Sequence, residues 1–150
     1  MVKTTIKDIS IIILNYNSRD FLRTALRSVF NQKGLKIEVI VVDNNSTDDS
    51  RQMVKKHFPQ VNWVQRDTSV GFSAGNNVGL SYASADTILF LNPDIKFINE
   101  TDLKKCYDKL HSDNKIGALT ARINLLLTGQ IDETCHRGFP TPWASLTHFL

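Results

Sequence analysis

Residues 9–14, Ile9-Ser10-Ile11-Ile12-Ile13-Leu14, and residues 37–42, Ile37-Glu38-Val39-Ile40-Val41-Val42, are short apolar runs rich in β-branched side chains. A strand with one wet face alternates apolar and polar residues, whereas a strand covered on both faces reads as a near-continuous apolar run. Both segments therefore predict central strands of a parallel sheet. Between them Phe21, Leu22, Ala25, Leu26, Val29 and Phe30 recur at helical spacing, with Ser18 placed to cap the start and Gly34 to end the connection. Strand, helix and strand make one crossover unit, right-handed in nearly all parallel sheets.

Working outward, Ser46 to Ser50 supplies capping residues, Met53, Val54, His57 and Phe58 form the next helical stripe, and Pro59 stops it. Val61 to Gln65 predicts a shorter strand. A third helix is expected from near Ser73 with Val78, Leu80, Tyr82 and Ala83 facing inward, then a buried strand over Thr87 to Leu91 ended by Pro93. The sum is an α/β fold, a mostly parallel sheet flanked by helices. Leu103, Cys106, Tyr107 and Leu110 predict one more helix, and Ile116 to Thr120 a strand. After Thr128 the period is broken by Gly129, Gly138, Pro140 and Pro142. The chain closes on Trp143, Leu146, Phe149 and Leu150 with no polar terminus. The domain is therefore expected to be C-terminally incomplete, with these residues either disordered or buried against another copy of the chain.

The 150 residues, 41% hydrophobic and 22% charged, supply one core and predict a single domain over 1–150. The formal charge of +3 is spread along the chain, which argues against nucleic acid as a partner and suits an anionic ligand such as a diphosphate. Cys106 and Cys135 lack metal-ligand spacing and read as reduced thiols, which favours a cytoplasmic location, the inner face of the membrane included. Met1 to Ser10 is too polar and too short for a signal peptide or a membrane span.

In an open parallel sheet the ligand sits outside the carboxyl ends of the strands. Those ends read Leu14-Asn15-Tyr16-Asn17, Asp43-Asn44-Asn45-Ser46, Gly71-Phe72-Ser73-Ala74-Gly75-Asn76-Asn77 and Asn92-Pro93-Asp94. Taken singly each has an ordinary explanation: Asn17, Asn45, Ser46 and Asp48 as turn formers and caps, Tyr16 as cover for the sheet edge, Gly71, Gly75 and Gly79 as close-packing positions. Turn chemistry alone does not explain why four polar clusters, with the acids Asp43 and Asp94, fall on the same edge.

The series Ile11 to Ser18, Val41 to Asp48, Gly71 to Gly79 and Leu89 to Asp94 resembles the family 2 glycosyltransferases, and is most similar to their rhamnosyltransferase-like branch of bacterial polysaccharide synthesis. The likeness covers residues 9–97, in order. It implies a GT-A fold and inverting transfer of a sugar from a UDP-, dTDP- or GDP-linked donor to a glycan or lipid-linked acceptor. By the resemblance, Leu14, Asn15 and Tyr16 line the base pocket with the Tyr16 ring stacked on it, and Asp43 and Asn44 read the base edge and ribose. Gly71, Asn76 and Asn77 border the ribose and diphosphate. Asn92-Pro93-Asp94 takes the place of the family's D-x-D motif, so Asp94 is the expected ligand of a divalent cation, Mn²⁺ or Mg²⁺. A hard cation completes its shell with phosphate oxygens and water, so one carboxylate can suffice.

The chain departs from the family in having Asn92 where many relatives carry an acid, and Thr68-Ser69 where the branch often has Asn. By the resemblance, the general base that inverting transfer requires lies in a motif beyond the first two-thirds of the domain, which finds no match before Leu150 and is therefore expected after it; Asp132-Glu133, the acidic pair of the tail, reads as a solvated loop. A non-catalytic nucleotide-sugar-binding module is the competing account of the same residues, and a sugar nucleotidyltransferase a second. A dehydrogenase would want G-x-G-x-x-G after the first strand, where this chain has Asn15-Tyr16-Asn17-Ser18.

Overall fold

A computed structural model describes residues 7–132. In chain order it contains β1 (Ile9–Asn15), α1 (Arg19–Phe30), β2 (Ile37–Asp43), α2 (Ser50–His57), β3 (Asn62–Gln65), α3 (Phe72–Leu80), β4 (Ile88–Phe90) and α4 (Asp102–Leu110). The strands form one parallel sheet in the order β3-β2-β1-β4. The chain thus winds outward from β1 to β3, then returns to place β4 on the other side of β1. No helix among the described residues is long and apolar enough to cross a membrane.

Two compact units divide the chain, Met1–Lys105 and Cys106–Leu150. The first holds the sheet. Its odd-numbered strand residues, Ile9, Ile11, Ile13, Val39 and Val41, bury one face beneath Leu22, Leu26 and Val29 of α1 and Met53 and Val54 of α2, with Leu103. Phe30 and Phe58 stack at 5.9 Å where the two helices end. The even-numbered residues Ile12, Ile40 and Val42 face the other way and, with Val64, pack against Leu14, Val78, Ala83 and Ile88. Both predicted central strands are covered on two faces, as their lack of alternation implied.

The apolar stripes are narrower than expected. Phe21 and His57 are exposed on the outer flanks of α1 and α2, and Leu80 and Tyr82 are exposed at and beyond the end of α3. The buried face of α3 is instead Gly75, Asn76 and Gly79. Without side chains at 75 and 79 the helix backbone lies directly on Leu14, Ile12 and Val42. The strand expected over Ile116 to Thr120 does not form: the segment has no ladder partner among the described residues and Leu119 is exposed, so nothing offsets the entropy of ordering it as a strand. In the second unit, within the described residues, α4 ends on a Tyr107–His111 ring contact, and Asn124 and Ile131 form an isolated antiparallel bridge. Glu133, Cys135, Trp143, Leu146, Phe149 and Leu150 lie outside the described residues.

At the amino end of the sheet, the Ser10 hydroxyl donates to Glu38 Oε2 (2.5 Å), and Glu38 also accepts from the Ser84 amide (2.9 Å) and hydroxyl (3.0 Å). Burial opposes ionisation of Glu38, but the bonds from Ser10 and Ser84 outweigh it and hold its pKa below the ordinary 4.5. A carboxylate with a depressed folded pKa stabilises the fold above its unfolded value and loses that contribution as pH falls through the folded one.

Two outcomes follow from this packing. Acid titration of stability should show a component lost below pH 4.5 that is missing in Glu38→Gln. In urea unfolding, Gly79→Ala should be the more damaging of the two α3 glycine variants. A Cβ there meets Ile12 Cγ2 at 2.4 Å and Val42 Cγ2 at 3.1 Å, both on stiff branched side chains. The gain of roughly 1 kcal/mol in helix propensity is opposed by roughly 1–3 kcal/mol of overpacking. Gly75→Ala meets the ends of Leu14, a half-buried side chain free to rotate. The opposite ranking would mean that the sheet yields more easily at Ile12 than its burial implies.

Candidate functional site: the carboxyl edge of the sheet

The β1–β2 register that pairs Ile11 with Val39 runs on to pair Asn15 with Asp43, and the β2–β3 register pairs Asp43 with Gln65. The last rung of three adjacent strands is therefore Asn15-Asp43-Gln65, and its side chains bond to one another. Asp43 Oδ1 accepts from Asn15 Nδ2 (2.8 Å) and Ser46 Oγ (2.6 Å), and Oδ2 accepts from the Ser46 amide (2.9 Å) and Gln65 Nε2 (2.8 Å). The carboxylate is 1% exposed and all four of its acceptor positions are filled. Gln65 is held in turn by the Trp63 indole N–H (3.1 Å).

The loops that leave this rung are tied together. Ser46 Oγ accepts from Asn15 Nδ2 (3.1 Å) and the Asn17 amide (2.9 Å), and Asn17 Oδ1 accepts from the Thr47 amide (2.8 Å). Asn17 and Asn45 adopt positive φ, +47° and +67°, which asparagine tolerates better than most residues. Ser18 stands at the N-cap of α1 as predicted, but its hydroxyl donates to Asn15 Oδ1 (2.7 Å) and makes no capping bond, and the first amide of the helix has another partner. That partner is Asp48, which accepts from the Arg19 amide (3.0 Å) through one oxygen and the Ser50 amide (3.1 Å) through the other. One carboxylate thus serves the amino ends of both α1 and α2, where the helix dipole favours negative charge. Burial raises its pKa, and the bonds from Ser50 and Arg19 more than reverse this, leaving it below the ordinary value.

Asn44 continues the ladder through its amide to Asn15 O (2.8 Å) and is 5% exposed. Its Nδ2 donates to Ser69 Oγ (2.9 Å) and its Oδ1 accepts from the Val70 amide (2.9 Å). These bonds anchor the segment that delivers Gly71, with φ +76°, to the N-cap of α3. Asn76 is buried and donates to Phe72 O (3.0 Å), while Asn77 is exposed.

The predicted residues therefore fall into two sets. Asn15, Asp43 and Asn44 join in one bonded lattice with Ser46, Gln65 and Ser69, Leu14 packs beneath Gly75, and Asn76 is turned back onto its own helix. Tyr16 (59% exposed), Gly71, Asn77, Asn92 and Asp94 face solvent. Among the described residues the Asp94 carboxylate has no hydrogen-bond or ion-pair partner, and no cluster of three metal-ligating side chains occurs. Tyr16 follows β1 and Asn92 to Asp94 follow β4, so both border the gap where strand order reverses, the position at which open α/β sheets bind ligands. A polar pocket of about 300 Å³ lies on the other flank, between β3 and α2, where Arg51, Gln52 and Trp63 surround Asp43 and Gln65.

The sequence pattern did not mark Gln65 or Ser69 as site residues, and it marked Asp48 as a turn former and cap, which Asp48 is for both α1 and α2. Gln65 was accessible from pattern, since a parallel register aligned on Ile11 and Val39 brings the last residues of β1, β2 and β3 level. Ser69 bonds to Asn44 across 25 residues of chain with no local signal to mark it, and the long-range bond of Asp48 to the Arg19 amide spans 29. Asp132 lies at the isolated bridge, its amide donating to Ile123 O (2.9 Å), and its neighbour Glu133 lies outside the described residues.

Comparison with known proteins accords with this geometry. Residues 10–128 match the profile of glycosyl transferase family 2. The low-salt glycan biosynthesis hexosyltransferase Agl10 of Haloferax volcanii is 29% identical over 125 residues, which is 81% of this chain and 38% of that protein. The poly(ribitol-phosphate) beta-N-acetylglucosaminyltransferase TarS of Staphylococcus aureus is 36% identical over 112 residues, 69% of this chain and 19% of that protein. The crystal structure of S. aureus TarS 1–349 in complex with UDP superposes with a TM-score of 0.63 at 26% identity, covering 80% of this chain and 42% of that one. The chain spans well under half the length of these relatives, and they do not single out the rhamnosyltransferase-like branch. The parallel sheet, its crossover helices and the polar carboxyl edge are those of a GT-A fold, and the chain belongs to glycosyl transferase family 2.

Proposed function

We propose that this domain binds a pyrimidine nucleoside diphosphate sugar at the carboxyl edge of the sheet, and that the protein transfers the sugar with inversion to a hydroxyl of a glycan or lipid-linked acceptor. The observation that carries this reading is the division of the edge into a bonded lattice and a solvent-facing set. Asn15, Asp43 and Gln65 make a rigid floor, and Tyr16, Gly71, Asn77, Asn92 and Asp94 stand free around the strand reversal. That the similar TarS structure is a complex with UDP supports a nucleotide as ligand. In this arrangement the exposed Tyr16 ring offers a stacking surface for a base. Gly71, with no side chain and open space around its Cα, lets a ribose or phosphate approach the backbone.

Asp94 fits a divalent cation in chemistry: an exposed, unpartnered carboxylate beside an amide, the sparse protein contribution typical where phosphates supply the remaining oxygens. When bound there, the cation would neutralise charge developing on the departing diphosphate. The chain's own contribution is to hold Asp94 at the end of β4, whose ladder continues through the Leu91 amide to Ile12 O (2.9 Å).

Calorimetry of the folded chain with UDP, dTDP and GDP, with and without Mn²⁺, tests the reading, and no heat at millimolar nucleotide would overturn it. Asp94→Asn should weaken Mn²⁺-dependent diphosphate binding about tenfold or more while leaving binding of the free nucleoside unchanged. Asp43→Asn should behave in the opposite way. It replaces an acceptor by a donor in a buried site already filled with donors, so unfolding stability should fall by roughly 1–3 kcal/mol. Unaltered stability in that variant would make Asp43 a ligand-reading residue and not part of the floor.

A further inference from the structure

The outward side of α1 and α2 is basic. Residues 21–30 of α1 and the whole of α2 carry Arg23, Arg27, Arg51, Lys55 and Lys56, with no Asp or Glu. Among the described residues none of these five side chains has an ion-pair or hydrogen-bond partner. The acids at the starts of the two helices are engaged elsewhere, Asp20 and Asp49 with Arg19 (3.1 and 3.8 Å) and Asp48 with the Arg19 and Ser50 amides. The cations also converge in space. His57 is held below its ordinary 6.5 by desolvation and then by the charges of Arg23, Lys56 and Arg27, so side chains of both helices meet at the last turn of α2. Beside them α2 borders an open groove of about 490 Å³ whose lining includes Phe58, Pro59, Val61 and Trp63, together with Arg51 and Lys55. Trp63 is half-buried and belongs to β3, an edge strand of the sheet.

We propose that this face docks on an anionic lipid surface, with Arg23, Arg27, Lys55 and Lys56 against headgroup phosphates and the groove at Pro59 and Trp63 against the acyl boundary. A phosphate polymer would meet the cations and leave the groove empty. A bilayer surface uses both: anionic headgroups attract Lys and Arg, whose stems lie along apolar surface, and an indole suits the boundary between headgroup and chain. An acidic protein segment added to β3 is disfavoured, because the strand offers only four residues of ladder. Both helices start at the carboxyl edge of the sheet and run back toward its amino edge, so the cations of their last turns lie away from the candidate nucleotide site. The inference therefore goes beyond the nucleotide reading and does not depend on it.

The test is sedimentation of the whole chain with vesicles of phosphatidylcholine alone and of phosphatidylcholine mixed equally with phosphatidylglycerol. The chain should bind the mixed vesicles about tenfold or more tighter than the neutral ones. The double variant Arg27→Ala/Lys56→Ala should bind the mixed vesicles about tenfold or more weaker than the wild type. Lys109→Ala/Lys115→Ala removes the same charge from exposed positions outside the patch and should weaken binding by less than about threefold. Trp143→Phe leaves Trp63 as the sole tryptophan, and its emission should shift to the blue on mixed vesicles and stay unchanged with heparin. Equal binding to the two kinds of vesicle overturns the inference, as does equal weakening in the two double variants. Binding to heparin without binding to mixed vesicles would assign the face to an acidic polymer, and vesicle binding without a shift of Trp63 would take the groove out of the contact. Either result overturns it as well.

Discussion

The buried carboxylate of Asp43 is the tie on which the carboxyl edge of the sheet depends. Taking such a group out of water costs several kcal/mol unless donors replace the lost hydration. Here the replacements are an asparagine amide, a glutamine amide, a serine hydroxyl and a backbone N–H, drawn from β1, β3 and the loop after β2. Each donor is held by the others' geometry, so the four bonds form or fail together. The consequence is positional: the chain leaves β1 and β2 from fixed points, and Tyr16 and Asn44 emerge side by side without freedom to drift.

The two faces of the sheet are built on different terms. Beneath α1 and α2 the core is bulky, branched and continuous with the Phe30–Phe58 stack, the ordinary way of burying a strand. On the other face α3 uses glycine in place of bulk, and its backbone lies against Ile12 and Val42. Close approach brings the start of α3 over the carboxyl edge, where a longer residue at 75 or 79 would hold it off. The helix that borders the candidate site is therefore placed by absent side chains, and its weak hydrophobic period is a sign of function-related packing as much as of a poor helix.

Asp48 adds an electrostatic constraint to these packing ones. A single carboxylate accepts from the first amides of α1 and α2, so the positive ends of two helix dipoles converge on it. It locks the loop after β2 against the loop after β1 from the outer side, as Ser46 does from the inner side. Both loops are thereby tied at two points, an arrangement that would reduce the ordering cost of binding a ligand there.

The succession of strands and helices was legible in the sequence because burial on two faces removes alternation and leaves runs such as Ile11 to Leu14, a signal that survives without any knowledge of neighbours. The grouping of the candidate residues was legible for a similar reason: parallel strands send their polar termini to one edge, so Asn15, Asp43 and Asp94 could be grouped by order alone. The roles within the group were not. Asp43 and Asp94 look alike as acids after apolar strands, and only the register that sets Asn15 and Gln65 level with Asp43 makes one a filled structural hub and leaves the other open to solvent. The same holds for Asn44, whose side-chain amide is oriented by the Val70 N–H, and for α1, whose first amide is met by Asp48 from a different loop. Local sequence determines which segments are buried and which turn, because those depend on side chains a few residues apart. The direction of a hydrogen bond at the end of a strand depends on which distant donor arrives there first, and tertiary structure alone decides that.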